Sequence, residues 1–286
     1  MEKTLNNRYD FVFIFDVVNG NPNGDPDAGN APRTDAETGL GIVSDVCMKR
    51  KIRNYIDLLK HDEAGYSIYV QEGAVLNERN QEAYDSLGIK NNKKEAKLNE
   101  SALRQWMCEK YYDVRAFGAV MSTKSDCGRV TGPVQLCFAQ SEDPIMPTSM
   151  TITRMAATDA KEDGKNQTMG NKQYIPYGLY RMNGFVSAPL ANKSGFGKED
   201  LALLWDALMN MFDNDHSAAR GLMSARKLII FKHDSELGNA PARKLFDLVN
   251  IKRLEECNVP RSFEDYKITI PAKDELPEGV SVEVRD

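Results

Sequence analysis

The chain has 286 residues, 41% hydrophobic and 28% charged, with a formal net charge of −5, enough to bury a large core in an ordinary globular protein. It has no apolar run long enough to cross a bilayer and no signal-peptide order of basic, apolar and small residues, so a cytoplasmic protein without a membrane partner is expected. The acidic total argues against a nonspecific duplex binder coated in positive charge. Five scattered cysteines and three isolated histidines offer neither a disulfide framework nor a zinc module, and neither metal nor cofactor is expected.

Residues 9–18 set Tyr9, Phe11, Phe13, Phe15 and Val17 against Asp10, Val12, Ile14 and Asp16, which predicts a mostly buried strand. Residues 19–41 form a loop rich in glycine, proline and asparagine, long enough that a compact domain seldom carries it without a function. A helix follows over 45–60. Its apolar stripe is Met48, Ile52, Tyr55, Ile56 and Leu59, with Lys49, Arg50, Arg53 and Lys60 on the adjoining arc, and Ser44 or Asp45 as cap. A strand is predicted over 67–74, a polar insertion, helical or flexible, over 77–97, and a helix over 99–112. Strands at 114–121 and 134–138 flank a glycine-bearing turn, and further strands at 150–155 and 174–186 flank a polar arm at 156–172. An amphipathic helix at 198–212, a strand at 222–231, a short helix at 241–249 and two strand-like pieces beyond Pro260 complete the chain. This order reads as α+β with helices mainly on one face of the sheet, a ferredoxin-like core elaborated by insertions within one domain over 1–286.

Charge is segregated. Residues 43–60 carry +3 and residues 220–233 carry +4, which leaves −12 for the rest, as for a narrow anion-binding groove on a repulsive surface. The amides and positive dipole end of the 45–60 helix add phosphate donors. Several motifs fail on inspection. Asn19-x-Asn21-x-Asn23-Gly24 opens like a calcium loop but has Asn30 where a bidentate Glu is required. Gly195-Phe-Gly197-Lys198 lacks the first glycine and the hydroxyl of a phosphate loop, and no dinucleotide fingerprint or nucleophile elbow is present. Asp25 and Asp27 have the spacing for metal-assisted phosphodiester chemistry, although capping of their own turns is the favoured reading. His216 and Arg220 read as surface residues, and Phe117, Tyr174, Tyr177 and Tyr180 as core aromatics sooner than base-stacking ones.

The loop Asn19-Gly-Asn-Pro-Asn-Gly-Asp-Pro-Asp-Ala-Gly-Asn-Ala-Pro-Arg33, Thr38-Gly-Leu-Gly and Ser44-Asp-Val-Cys-Met-Lys-Arg-Lys-Ile-Arg53 resemble the start of the RAMP-type backbone subunits of CRISPR effector complexes. The match to the type I-C Cascade backbone subunit looks close. Val114-Arg-Ala-Phe-Gly-Ala-Val-Met121, Gly132-Pro-Val-Gln135, Ile152-Thr-Arg-Met155, Ile175-Pro-Tyr-Gly-Leu-Tyr180 and residues 218–227 continue the resemblance in order along the chain. It implies a noncatalytic subunit with an RRM-like palm and inserted finger and thumb elements, polymerised head-to-tail along one crRNA in an antiviral surveillance complex. The implied partners are the crRNA, target DNA through guide pairing, further copies of the chain and the other Cascade subunits. The implied RNA contacts are Ser44, Lys49, Arg50 and Arg53, with Asn19, Asn21, Asn23 and Arg33 alongside, Phe117 and Gly118, Met155 at the thumb base, and Arg226 and Lys227. The thumb tip would be the 156–172 arm. The aromatic signatures of ordinary RRM proteins are missing, so base stacking on the sheet is not expected. Two alternatives from other classes are a metal-dependent RNA endonuclease using Asp25 or Asp27, as in related type III subunits, and a small-molecule enzyme supported only by the long loop.

Overall fold

A computed structural model of the chain describes residues 5–156 and 168–286. Strand β1 (Tyr9–Gly20) leads into a folded loop with the two-residue strands β2 (Gly24–Asp25) and β3 (Ala31–Pro32), then β4 (Leu40–Val43) and helix α1 (Asp45–Leu59). Helices α2 (Leu76–Leu87), α3 (Lys93–Leu98), α4 (Glu100–Lys110) and α5 (Tyr112–Phe117) follow, with a small hairpin of β5 (Gly118–Val120) and β6 (Arg129–Thr131). The sheet resumes with β7 (Val134–Leu136), β8 (Ala139–Pro144), β9 (Thr148–Arg154) and β10 (Thr168–Val186). Helices α6 (Ala188–Ser194) and α7 (Lys198–Asn210) precede β11 (Leu222–His233), α8 (Ala242–Asp247), β12 (Asn250–Arg253), β13 (Tyr266–Thr269) and β14 (Val280–Arg285).

The main sheet is antiparallel in the order β14-β11-β1-β10-β8-β4, with β7 and β9 also paired to β10. The sequence β1-α1-β8-β10-α7-β11, with β1 between β10 and β11, is the ferredoxin-like βαββαβ arrangement. Period-two alternation in β1 divides two cores. Phe11, Phe13, Phe15 and Val17 pack with Met48, Ile52 and Ile56 of α1 and with Leu204, Trp205 and Leu208 of α7. Phe11 meets Trp205 edge-on at 5.0 Å, and Phe15 stacks on Tyr180 at 5.3 Å. On the opposite face Val12, Ile14, Ile229 and Phe231 are covered by Leu245, Phe246, Val249 and Tyr266 from the C-terminal segment. The helices therefore sit on one face as expected, while a cap closes the other. A third core gathers Tyr69, Tyr84, Leu103, Met107 and Tyr111 around α2 and α4.

Several predicted elements are corrected. Residues 67–74 are irregular, with one isolated bridge between Ser67 and Tyr111. Residues 114–117 belong to helix α5 and only 118–120 form a strand. The helix is anchored by Arg115, which donates to both carboxylate oxygens of Asp200 at 3.0 and 2.7 Å and to the carbonyls of Gly65 and Cys108. The 77–97 insertion is largely helical. β4, β8 and α6 were not anticipated, and β10 starts six residues before the expected strand, where Arg154↔Thr168 through Thr148↔Tyr174 pair β9 with β10. Residues 157–167, most of the expected arm, lie outside the described residues. Among the described residues no helix is long and apolar enough to cross a membrane.

Candidate nucleic-acid interface

The asparagine-rich loop folds onto the start of α1. Ser44 caps the helix, its Oγ accepting from the Cys47 amide at 3.3 Å, while the Ser44 amide and hydroxyl both donate to Oδ1 of Asn23 at 2.9 Å. The Cys47 thiol, its pKa raised by burial, donates to the Pro22 carbonyl at 3.5 Å. Asn21 donates through Nδ2 to the Asn30 carbonyl at 2.7 Å and through its amide to the Ala219 carbonyl at 2.8 Å. That last bond fastens the loop to the turn before β11. The crossing is so close that a Cβ on Gly221, at φ +64, would stand 2.5 Å from the Asn19 carbonyl oxygen, which leaves glycine as the residue that fits.

Between these segments lies a groove of about 760 Å³ lined by Asn21, Asn23, Ser44, Arg50, Lys51 and Arg220, among others. Its cations differ in freedom. Arg50 is exposed and forms no ion pair among the described residues. Lys51 is buried against Asp215, whose other oxygen holds Arg220 at 2.5 Å. Burial pulls the Lys51 pKa down, with the Asp215 carboxylate opposing. Arg53 reaches the wall of the groove but is buried, its Nε donating to Asp113 at 2.8 Å. Asp113 also accepts from the amides of Tyr69 and Val70 at 2.7 and 3.0 Å. Lys49 pairs with Asp45 at 2.8 Å, and Lys49 and Arg53 lie 5.7 and 5.3 Å from the centroid of the buried Phe117 ring.

The structure thus brings Asn21, Asn23, Ser44, Arg50 and Arg53 to one groove and places the other expected contacts elsewhere. Asn19, at φ 49, sits at the crossing with Gly221. Arg33 pairs with Asp25 at 3.5 Å, and Asp25 accepts from the Asp27 amide at 3.2 Å, the turn-capping role favoured from sequence. Gly118 packs backbone-to-backbone within the β5–β6 hairpin, and Met155, 90% exposed, follows directly after β9, far along the chain from the groove residues. Arg226 pairs with Asp16 at 2.9 Å and lies over Phe263, on the capped face of the sheet, and Lys227 pairs with Asp286. Sequence reading missed Lys51, Asp215 and the place of Arg220. The available signal was Gly20 and Gly221, which mark a backbone crossing that joins the two basic stretches. Among the described residues no group of three or more His, Cys, Asp or Glu side chains is placed to hold a metal.

Palm topology, a polar loop seated on a capped helix start and an exposed arginine beside it define a βαββαβ protein with a groove outside its sheet lined by Arg50, Lys51, Arg53 and Arg220. The model of the family described as CRISPR-associated protein Cas7 matches residues 7–271, and the chain belongs to the Cas7 family. It is 26% identical over 273 residues to the CRISPR-associated protein Cas7 of Haloferax volcanii, spanning 87% of this chain and 76% of that one. It resembles a solved chain of a "CRISPR RNA-guided surveillance complex, pre-nicking" with a TM-score of 0.53 at 16% identity, covering 78% of each. A chain of a second "CRISPR RNA-guided surveillance complex" aligns with a TM-score of 0.45 at 16% identity, covering 78% of this chain and 68% of that one.

Proposed function

We propose that the chain is a noncatalytic guide-RNA-binding backbone subunit of a type I-C CRISPR surveillance complex, polymerising head-to-tail along the crRNA and presenting it for pairing with target DNA. The observation that carries this reading is the groove at the head of α1. It offers asparagine and serine side chains and Arg50, groups that grip phosphate and sugar without reading base edges. A subunit that must hold any guide sequence needs such chemistry. The C-terminal cap over the other sheet face is consistent with it, because that face has no room for stacked bases. Asn21, Asn23, Ser44 and Arg50 are the central proposed contacts, with Asn19 beside them at the Gly221 crossing. Phe117, Gly118 and Met155 would act further along the strand, and Arg33, Lys49, Arg53, Arg226 and Lys227 would contribute only after surrendering their present carboxylates. The acidic remainder of the chain would set the register against a neighbour's basic groove.

The test is size-exclusion chromatography with absorbance at 260 and 280 nm on protein expressed with its partner subunits, with and without a CRISPR array. A large, RNA-rich species appearing only with the array, and lost in Arg50→Glu, is the expected result. Array-independent behaviour and an unaffected Arg50→Glu assembly would remove the proposal.

A further inference from the structure

Arg220 belongs to the second basic stretch of the sequence, yet the 217–221 turn places it on the groove of the first. The turn is held there by the Asn21–Ala219 backbone bond and the Gly221 crossing. Its guanidinium is occupied on one side only. Nη1 donates to the carboxylate of Asp215 and, at 3.2 Å, to the Asp215 carbonyl. The side chain keeps 21% of its surface exposed and lines the groove. Lys51, by contrast, is 2% exposed and spends its charge on the same carboxylate. A guanidinium has five N–H donors in a rigid fork, so an arginine clamped on one edge can still present the other to an oxyanion, which an ammonium on a flexible stem cannot do at two fixed points.

We propose that Arg220 is a bridging RNA contact: Asp215 holds one edge of its guanidinium while the other edge takes a backbone phosphate across the groove from Arg50. Asp215 is then a positioning residue, and its pairing with Lys51 fixes the carboxylate that does the positioning. This inference rests on the backbone-subunit reading above.

The experiment measures binding of the full chain to a fluorescein-labelled, mixed-sequence single-stranded RNA by anisotropy over a series of salt concentrations. Arg220→Gln is expected to weaken binding roughly tenfold at low salt and to flatten the dependence of log K on log salt by about 0.7, the loss of one phosphate contact on a single strand. Arg220→Lys is expected to fail in the same way, because its one ammonium stays on Asp215. A lysine variant that restores wild-type affinity and slope overturns the bridge, as does a glutamine variant that changes neither. Phenylglyoxal modification of the unaltered protein, read by mass spectrometry, probes the same contact without a substitution. RNA should protect Arg220 together with Arg50, and protection of Arg50 alone overturns the proposal. A wild-type chain that binds no RNA in these assays overturns the backbone-subunit reading and this one with it, whereas failure confined to Arg220 leaves that reading standing.

Discussion

Arg50 and Arg53 lie one turn apart on the same helical arc, and helical spacing alone treats them alike. Their environments separate them. Arg53 neutralises Asp113 in the interior, 60 residues away in the chain, and Asp113 in turn ties down the amides of Tyr69 and Val70. Removing one member of a buried pair strands the other charge, so Arg53→Gln is expected to cost about 3–5 kcal/mol of stability in urea unfolding. Arg50→Gln is expected to stay within about 0.5 kcal/mol of the parent while weakening RNA binding. Charge alone therefore made the candidate site half legible: local pattern marks which side chains are basic, and only long-range pairing shows which of them are already spent. The cysteines follow the same logic. Burial pushes the Cys108 thiol up to about 11 and the Cys127 thiol up to about 12, while Cys137 is exposed. Ellman's reagent at about pH 8 should label Cys137 first and reach Cys108 and Cys127 only on unfolding; fast native labelling of either buried thiol would contradict the packing of α4 and the 121–127 turn.

Elements were readable where one physical demand governed a whole segment. β1 alternates with period two because both its faces are buried in different cores, and α1 and α7 keep helical spacing because each covers the aromatic face of that strand. Failures came where polar side chains or single tertiary bonds decide the backbone. Residues 114–117 contain Val, Ala and Phe and look like a strand, but the Asp113 and Arg115 networks require a helical turn. β8 runs through Ser141, Glu142 and Asp143, and its polar composition conceals a strand whose pairing is supplied by β4 and β10. The α1 start combines both kinds of signal. Ser44 was legible as a cap, whereas its second role, donating to Asn23, was not. Ser44→Ala loses the cap and one of the two bonds to Asn23, with an expected cost of about 1–2 kcal/mol by urea unfolding. RNA affinity should fall beyond what the stability change explains, since Asn23 keeps only the residue-44 amide of its two bonds to the helix start; an affinity unchanged in folded protein would separate the loop from the binding surface.

At the scale of the molecule, tyrosines are buried in all three cores, and their titration sets an alkaline limit. Burial, helped by Asp206, pushes Tyr55 up to about 12, and burial pushes Tyr84 up to about 12. Folded values above the unfolded value near 10 mean that the unfolded chain releases its protons first. The contribution of these groups is fully present below about pH 10 and is lost as pH rises toward about 12, so urea midpoints should hold at about pH 8–9 and fall steeply beyond about pH 10. The C-terminal cap is the larger consequence of global packing. The palm was legible from the order of its strands and helices, but coverage of its second face was not, because α8, β12 and β13 are short and nothing local tells them where to dock. Leu245 is fully buried against Val12, Ile14 and Phe231 side chains of that face. Leu245→Ala leaves a cavity there, with an expected loss of about 2–5 kcal/mol, while the α1 groove lies on the other side of the sheet and should retain its RNA affinity in the folded fraction. That pairing of outcomes tests the division of labour between the two faces. If the substitution weakens RNA binding as much as Arg50→Gln does, without exposing apolar surface to a dye such as ANS, then the capped face takes part in binding and the groove is only one portion of the RNA path.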